Sequence, residues 1–199
     1  NLYKSYKYLK NKNKDKNIKV SLIPFYIKLL VESIKKFPEI NSSLSRDKKS
    51  LIIKKYINVG VAVDTMKGLV VPVIKNCEKK SIKEISLELT ALSRKAHNND
   101  LGISDIEGGT ITISSLGGIG GTYFTPIVIP SQAAILGFSK TEKKIVLNNN
   151  NKLENRLVLP FSLSYDHRII DGALAAKFTT ELKTLLSSAK LIGKNYVKK

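Results

Sequence analysis

The chain has 199 residues, 42% of them apolar, and a formal net charge of +18. This length and composition predict one domain built around a single core and exclude a mostly disordered chain. No apolar stretch reaches the length of a membrane span and the first residues show no export signal, so a cytoplasmic protein is expected. Because the chain begins with Asn1 rather than Met, we expect a fragment of a longer protein.

The positive charge comes mostly from lysine. Only four arginines are present, and the lysines alternate with asparagine and isoleucine in runs such as NKNKDKNIK. Arginine is the preferred residue for bidentate contacts to phosphates and bases. We therefore interpret the charge as a solvated surface and expect no nucleic-acid partner, with a lysine-rich polyanion binder as an alternative.

The first third of the chain is predicted to contain a helix and then a β-hairpin. Ser21 is a candidate N-cap, Pro24 falls in the first helical turn, and Pro38 ends the helix. The run from residue 51 to 74 is rich in β-branched residues, and its TMKG sequence predicts a turn between two strands.

The remaining two thirds alternate between helix and strand patterns. Ser81 and Glu84 predict the capping box of a second helix, Gly102 closes that region, and Leu174 lies in a final helix. Predicted strands are GTITISS, AAILGF, KKIVLN and NRLVLPFSLSYDH, with NNNNKLEN as a turn between the last two. This layout predicts an α/β fold in which helices pack on a mixed β-sheet.

Several chemical patterns are missing from the sequence. Cys77 is the only cysteine, so no internal disulfide can form, and no cluster of His, Cys and Asp has the spacing of a metal site. The glycines of SSLGGIGGTYFTP fit no nucleotide-binding loop, and no G-x-S-x-G sequence predicts a hydrolase nucleophile. We therefore expect neither a bound metal nor a hydrolase triad.

The stretch SLSYDHRIIDG holds the leading candidate for a catalytic residue. His167 follows a predicted strand and precedes a helix, a position where loops often present functional groups. Asp166, Arg168 and Asp171 flank it, although Asp171 also fits the N-cap of the following helix. The alternative is a structural histidine. His97, at the end of another helix, is expected to be exposed and inactive.

A second candidate lies at the end of the predicted strand GTITISS. Ser114 and Ser115 are adjacent there, and a hydroxyl at a strand end can donate a hydrogen bond to a developing oxyanion. Serine is common at such positions, so the sequence pattern alone leaves both residues open.

Three segments resemble one enzyme family in the right order. SLSYDHRIIDG is similar to the H-x-x-x-D-G signature of the 2-oxoacid dehydrogenase acyltransferases and of chloramphenicol acetyltransferase. INSSLSRDKKSLIIKKYINVGVAVDTMKGLVVPVIKN and GGTITISSLGGIGGTYFTPIVIPSQAAILGFSK also resemble the acyltransferases, most closely the bacterial acetyl-transferring branch of pyruvate dehydrogenase complexes. The resemblance implies a chloramphenicol acetyltransferase-like fold, with residues 1–199 forming a catalytic domain.

The resemblance also implies a reaction and its residues. An acetyl group would pass between a dihydrolipoyl thiol, carried on a lipoyl domain outside this chain, and the thiol of coenzyme A. His167 would be the general base, Ser114 the oxyanion donor with Ser115 as the alternative, and Asp171 a residue that holds the geometry of the site. A succinyl- or branched-chain-transferring relative and an inactive scaffold are the other functions to be weighed.

The resemblance implies partners as well. Family members form homotrimers that assemble, in the bacterial type, into a cubic core of twenty-four chains. They work with a pyruvate dehydrogenase component and with dihydrolipoamide dehydrogenase. By comparison with the family, we expect that an initial segment of the catalytic domain, the lipoyl domain and the subunit-binding domain are not included in this sequence. The NNNNKLEN turn is also longer than the family's usual connection.

Overall fold

The computed structural model describes residues 2–12, 21–148 and 150–188. Its α-helices are α1 (Leu2–Lys12), α2 (Ile23–Lys36), α3 (Ile82–Asn98), α4 (Ile103–Ile106) and α5 (Gly172–Ser188). Its strands are β1 (Ser42–Leu44), β2 (Leu51–Ile53), β3 (Val59–Val61), β4 (Val63–Thr65), β5 (Gly68–Val70), β6 (Val73–Ile74), β7 (Ile111–Ser115), β8 (Ala134–Phe138), β9 (Glu142–Leu147), β10 (Leu153–Val158) and β11 (Phe161–Tyr165).

Five of these strands form the central sheet, in the order β11-β8-β7-β3-β6. The pairs β3–β7 and β7–β8 are parallel, whereas β8–β11 and β3–β6 are antiparallel. The mixed sheet expected from the sequence is therefore confirmed. The pairs β1–β2, β4–β5 and β9–β10 form separate antiparallel ribbons.

One face of the central sheet is apolar and is covered by helices. Ile111, Ile113 and Phe138 are fully buried on this face, and the Phe138 ring stacks on Tyr26 of α2 with centroids 4.2 Å apart. Side chains of α3 and α5 belong to the same buried cluster. Burying a large apolar side chain stabilises a fold by roughly 1.5–3 kcal/mol, so this face supplies most of the core.

The opposite face carries hydroxyl groups and small residues together with the buried Ile135, which pairs with Thr112 and Ser164. Side chains alternate along a strand, so the residues between the buried apolar ones point away from the helices. In β7 these residues are Thr112 and Ser114, and in β11 they are Ser162 and Ser164. The sheet therefore has a core face and a polar face.

The helix predictions are confirmed in position but not in every cap. Pro24 lies in the first turn of α2, but the N-cap is Leu22 rather than Ser21, and no side chain caps this end. The capping box of α3 is present, because Ser81 Oγ accepts from Glu84 N–H and the Glu84 carboxylate accepts from Ser81 N–H. Asn99 ends α3 in a left-handed conformation, three residues before the Gly102 predicted to close this region.

The strand predictions were wrong in three places. The run from residue 51 to 74 forms five strands, β2 to β6, rather than one hairpin, and β10 begins at Leu153, inside the predicted NNNNKLEN turn. The hairpin with the TMKG turn is confirmed as β4–β5, with Thr65 paired to Gly68. The segment NRLVLPFSLSYDH forms two strands, β10 and β11, rather than one. Pro160 lies between them and has no N–H to donate to a strand ladder, which explains the interruption.

Cys77 is fully buried, and its thiol donates a hydrogen bond to the Ile74 carbonyl at 3.1 Å. Burial raises the pKa of the thiol to about 12, so the group stays protonated and unreactive at neutral pH.

Within the described residues, no helix is long and apolar enough to cross a membrane. Nor do those residues bring together three or more His, Cys, Asp or Glu side chains that could hold a metal ion.

Candidate active site

His167 lies in a tight turn that follows the edge strand β11. The Asp166 N–H donates to the Ala133 carbonyl at 2.8 Å, which extends the β11–β8 pairing past Tyr165. The N–H groups of Ile169 and Ile170 then donate to the Asp166 carbonyl and close the turn. Because Ile170 is fully buried, the turn is fastened to the core while His167 at its tip faces solvent.

The acids beside His167 have partners other than the imidazole. Arg168 holds the Asp166 carboxylate with two side-chain nitrogens, Nε at 2.9 Å and Nη2 at 2.6 Å. Hydrogen bonds from Arg168 lower the pKa of the Asp166 carboxyl group. Asp171 Oδ1 accepts the N–H of Leu174 at 2.7 Å, so the predicted N-cap of α5 is confirmed. Both acids therefore shape the main chain around His167.

The imidazole of His167 has its closest ring contact with Tyr165, at a centroid distance of 5.6 Å. Across the described part of the chain, no hydrogen bond or ion pair engages the imidazole. An exposed, uncommitted imidazole can accept a proton from a thiol that approaches from solvent. His97 is also exposed, as expected, in the last turn of α3.

The sheet separates the two candidate serines. Ser114 pairs with Gly137 and points to the polar face, whereas Ser115 pairs with Phe138 and lies on the core face. The Ser115 hydroxyl is a weak acceptor for the N–H of Gly117, at 3.5 Å. Only Ser114 therefore points into the polar layer, although both serines are half-buried.

Two hydroxyls on the polar face are already used as donors, whereas the buried Ser164 hydroxyl has no partner among the described residues. Thr112 Oγ1 donates to Gln132 Oε1 at 2.8 Å, and Ser162 Oγ donates to the carbonyl of Phe124 at 2.7 Å. For Ser114, the described residues provide no such partner. Its hydroxyl is therefore available to a substrate oxygen, as an oxyanion donor must be.

His167 and Ser114 do not meet within one chain. Tyr165 at the end of β11 pairs with Ala134, three positions before the Gly137 that pairs with Ser114. At about 3.3 Å per residue along a strand and about 4.8 Å between strands, Tyr165 and Ser114 are about 14 Å apart. His167 continues away from Ser114 beyond Tyr165. A hydrogen bond needs about 3 Å, so the two groups occupy opposite ends of the sheet.

The sequence analysis missed three residues that share the polar face with Ser114. Phe124 and Ser162 touch across the polar face, and Gly137 lies between them. The alternation T-x-S in β7 and S-x-S in β11 was a usable signal for a polar sheet face. The pairing of these two strands with β8 could not be read from it.

The catalytic-domain model of the 2-oxoacid dehydrogenase acyltransferases matches residues 1–193. This chain belongs to that family. The dihydrolipoyllysine-residue acetyltransferase component of the pyruvate dehydrogenase complex from Buchnera aphidicola subsp. Schizaphis graminum is 47% identical over 189 residues. That alignment covers 94% of this chain and 47% of the relative, so the chain spans about half the length of this curated protein.

Solved structures agree with this assignment. Azotobacter vinelandii dihydrolipoamide acetyltransferase, studied for the catalytic roles of a serine, a histidine and an asparagine, superimposes with a TM-score of 0.92 at 42% identity. The cubic core of the pyruvate dehydrogenase multienzyme complex gives the same TM-score at 43% identity. Both alignments cover 96% of this chain and 78% of the other.

A chloramphenicol acetyltransferase superimposes with a TM-score of 0.56 at 15% identity, over 89% of this chain and 82% of that one. At this level of identity, the likeness concerns the fold alone. The prediction of a chloramphenicol acetyltransferase-like α/β fold is confirmed.

Proposed function

We propose that this chain is the catalytic core of a dihydrolipoyllysine-residue acetyltransferase of a pyruvate dehydrogenase complex. It would move an acetyl group between a dihydrolipoyl thiol, carried on a lipoyl domain, and the thiol of coenzyme A. The observation that carries the proposal is the pair of uncommitted groups, the His167 imidazole and the Ser114 hydroxyl. A transfer between two thiols requires one proton acceptor and one oxyanion donor, and the relatives that match most of this chain are acetyltransferases.

His167 acts as the general base. A free thiol has a pKa of about 8.5 and is mostly protonated at neutral pH, so its attack on a thioester needs a base within hydrogen-bond reach. The imidazole accepts the thiol proton as sulfur attacks the thioester carbonyl, and returns it to the departing thiolate. The turn closed by the Asp166 carbonyl and the capped start of α5 keep the ring at the tip.

Ser114 stabilises the tetrahedral intermediate. Attack on the thioester places a negative charge on the former carbonyl oxygen, and a fixed hydroxyl donor at that position lowers the barrier. Ser114 is fixed because it lies within β7, paired with Gly137 on the neighbouring strand. Its orientation on the polar face supports it over Ser115.

The spacing of the serine, histidine and asparagine in the relative from A. vinelandii supports these roles. Its asparagine follows its histidine by four positions, the spacing of Asp171 from His167 in this chain. Its serine precedes the histidine by 52 positions, whereas Ser114 precedes His167 by 53 and Ser115 by 52. The longer turn between β9 and β10 offers a place for one extra residue, which keeps Ser114 as the proposed donor.

Because the base and the oxyanion donor lie at opposite ends of one sheet, we propose that each active site is built between two chains of a trimer. His167 of one subunit would face Ser114 of the next. A relative forms the cubic core of a pyruvate dehydrogenase complex, and we propose the same assembly here. The partners would be the pyruvate dehydrogenase and dihydrolipoamide dehydrogenase components, in the cytoplasm, with no nucleic-acid partner.

The proposal is tested by measuring which acyl group is transferred. Acetyl-, succinyl- and isobutyryl-coenzyme A are each supplied to the protein with free dihydrolipoamide, and thioester formation is followed. We expect acetyl-coenzyme A to be the best donor. A preference for succinyl- or isobutyryl-coenzyme A would move the protein to another branch of the family. The absence of transfer from all three would identify an inactive scaffold or a polyanion binder.

A further inference from the structure

The loop that follows β7 crosses the polar face of the sheet and is held there by β11. Ser162 Oγ donates a hydrogen bond to the main-chain oxygen of Phe124 at 2.7 Å, across 38 positions of the chain. The bond is partly buried, so water competes with it less than with a surface contact. It fixes the main chain of Phe124 to a strand of the central sheet.

The ring of Phe124 rests on the backbone of Gly137. A Cβ atom added to Gly137 would lie 2.7 Å from Phe124 Cζ and 2.8 Å from Ser162 Oγ, closer than real Cβ atoms come to other groups. A side chain at this position would therefore displace the ring or the hydroxyl. Gly137 leaves the space in which both can lie against β8.

This contact belongs to the same cross-strand row as Ser114. Gly137 pairs with Ser162 on one side and with Ser114 on the other. Paired residues on adjacent strands point to the same face and are about 4.8 Å apart. The Phe124 ring therefore lies about one strand away from the Ser114 hydroxyl, on the face to which that hydroxyl points.

We propose that Ser162 is a positioning residue for the oxyanion donor and that it acts through Phe124. The Ser162 hydrogen bond holds the Phe124 main chain, and the ring then forms a wall beside Ser114. This wall limits the directions in which the Ser114 hydroxyl can donate and keeps competing water from it. The inference rests on the proposed function, in which Ser114 stabilises the tetrahedral intermediate.

Ser164 provides a matched control for Ser162. It lies two positions along the same strand and on the same face, and its buried Oγ has no hydrogen-bond partner among the described residues. In the intact protein, Ser162→Ala should lower kcat by roughly 10-fold, because small displacements near a reacting centre reduce rate strongly. The KM for coenzyme A should change by less than about 2-fold. Ser164→Ala should leave kcat within about 2-fold of wild type. Ser162→Thr keeps a hydroxyl and should recover most of the loss.

A second measurement separates positioning from a general loss of structure. If Ser162 acts through Ser114, adding Ser162→Ala to Ser114→Ala should cause no further loss of kcat, because effects of residues that act as a unit are not additive. A purely structural defect would lower kcat by the same factor in both backgrounds. Such an additive result, or equal kcat values for Ser162→Ala and Ser164→Ala, would overturn the inference.

Gly137→Ala tests the same arrangement if Ser162→Ala fails to fold. It keeps the Ser162 hydroxyl but displaces the Phe124 ring, so it should reproduce the kcat loss and the lack of additivity with Ser114→Ala. A wild-type kcat in folded Gly137→Ala would overturn the inference. Wild-type transfer from acetyl-coenzyme A and the defect of Ser114→Ala are measured first in the same assay. A failure of either one counts against the proposed function, and a failure of the Ser162 comparison alone counts against this inference.

Discussion

The two ends of the central sheet hold their candidate groups in different ways. At the β11 end, His167 stands on an exposed turn, fixed by main-chain hydrogen bonds to Asp166 and by the capped start of α5. At the other end, Ser114 lies within a central strand, and Phe124 packs over the neighbouring Gly137. The candidate base is thus presented to solvent, while the candidate oxyanion donor is half-buried within the sheet. Because no contact links the two groups, damage to one end should leave the other intact.

The largest loss of activity is expected from removing the base. His167→Ala should lower turnover by roughly 10²–10⁴-fold, the usual contribution of a positioned general base. The thermal midpoint should change little, because the side chain is exposed and makes no hydrogen bond within the described residues. His97→Ala is the matched control, since this exposed histidine should be dispensable. Near-normal turnover in His167→Ala would remove the exposed end of the sheet from the mechanism.

A slightly smaller loss of activity is expected from removing the candidate oxyanion donor. Ser114→Ala should reduce kcat by roughly 10²–10³-fold and leave KM for coenzyme A little changed, because the donor acts mainly in the transition state. Ser115→Ala changes the same group one residue away on the core face and should stay close to wild type. If Ser115→Ala carries the defect instead, the donor has been assigned to the wrong face of β7.

The stability of the exposed end depends on the start of α5. Asp171→Ala removes the acceptor for the Leu174 N–H and should lower the free energy of unfolding by about 1 kcal/mol. Asp171→Asn keeps an acceptor and should lose much less. Urea unfolding of both variants provides the measurement. Equal loss in the two variants would mean that the carboxylate stabilises this end by its charge rather than as a cap.

The smallest effect is expected from the ion pair beside His167. Hydrogen bonds from Arg168 lower the pKa of the Asp166 carboxyl group, so their stabilisation is present above the unperturbed pKa of about 3.9 and is lost as pH falls through the lowered folded value. Asp166→Asn should destabilise less than Asp171→Ala at pH 7, since exposed ion pairs contribute little. The difference in urea midpoint between Asp166→Asn and wild type should be the same at pH 7 and pH 5 and smaller at pH 3, which lies below the unperturbed pKa. A difference that is as large at pH 3 as at pH 7 would show that the charge of Asp166 is not its source.

Local patterns predicted most of the longer elements but not α1, α4 or β1. The arrangement of the candidate site depends on pairing between distant segments. The Ser81 capping box, the TMKG hairpin and the Asp171 cap each depend on neighbours within a few residues, so the sequence was sufficient for them. The alternation of side chains along a strand also indicates that Ser114 and Ser115 point to opposite faces of the sheet.

What the sequence could not reveal is where β11 pairs. Its antiparallel contact with β8, which is itself parallel to β7, sends His167 to the opposite end of the sheet from Ser114. Likewise, the bond between Ser162 and Phe124 joins residues 38 positions apart. No local pattern specifies contacts of this kind, because they depend on how the whole chain closes around its core.

Mixing inactive chains tests most directly whether a complete site needs His167 from one chain and Ser114 from another. Equal amounts of His167→Ala and Ser114→Ala protein are unfolded together, refolded and sized to show mixed trimers. With random association in closed rings, about a quarter of the interfaces combine an intact His167 with an intact Ser114. Activity should therefore rise to about a quarter of the wild-type value. Activity that stays at the level of the single variants, in trimers shown to be mixed, would contradict the shared site.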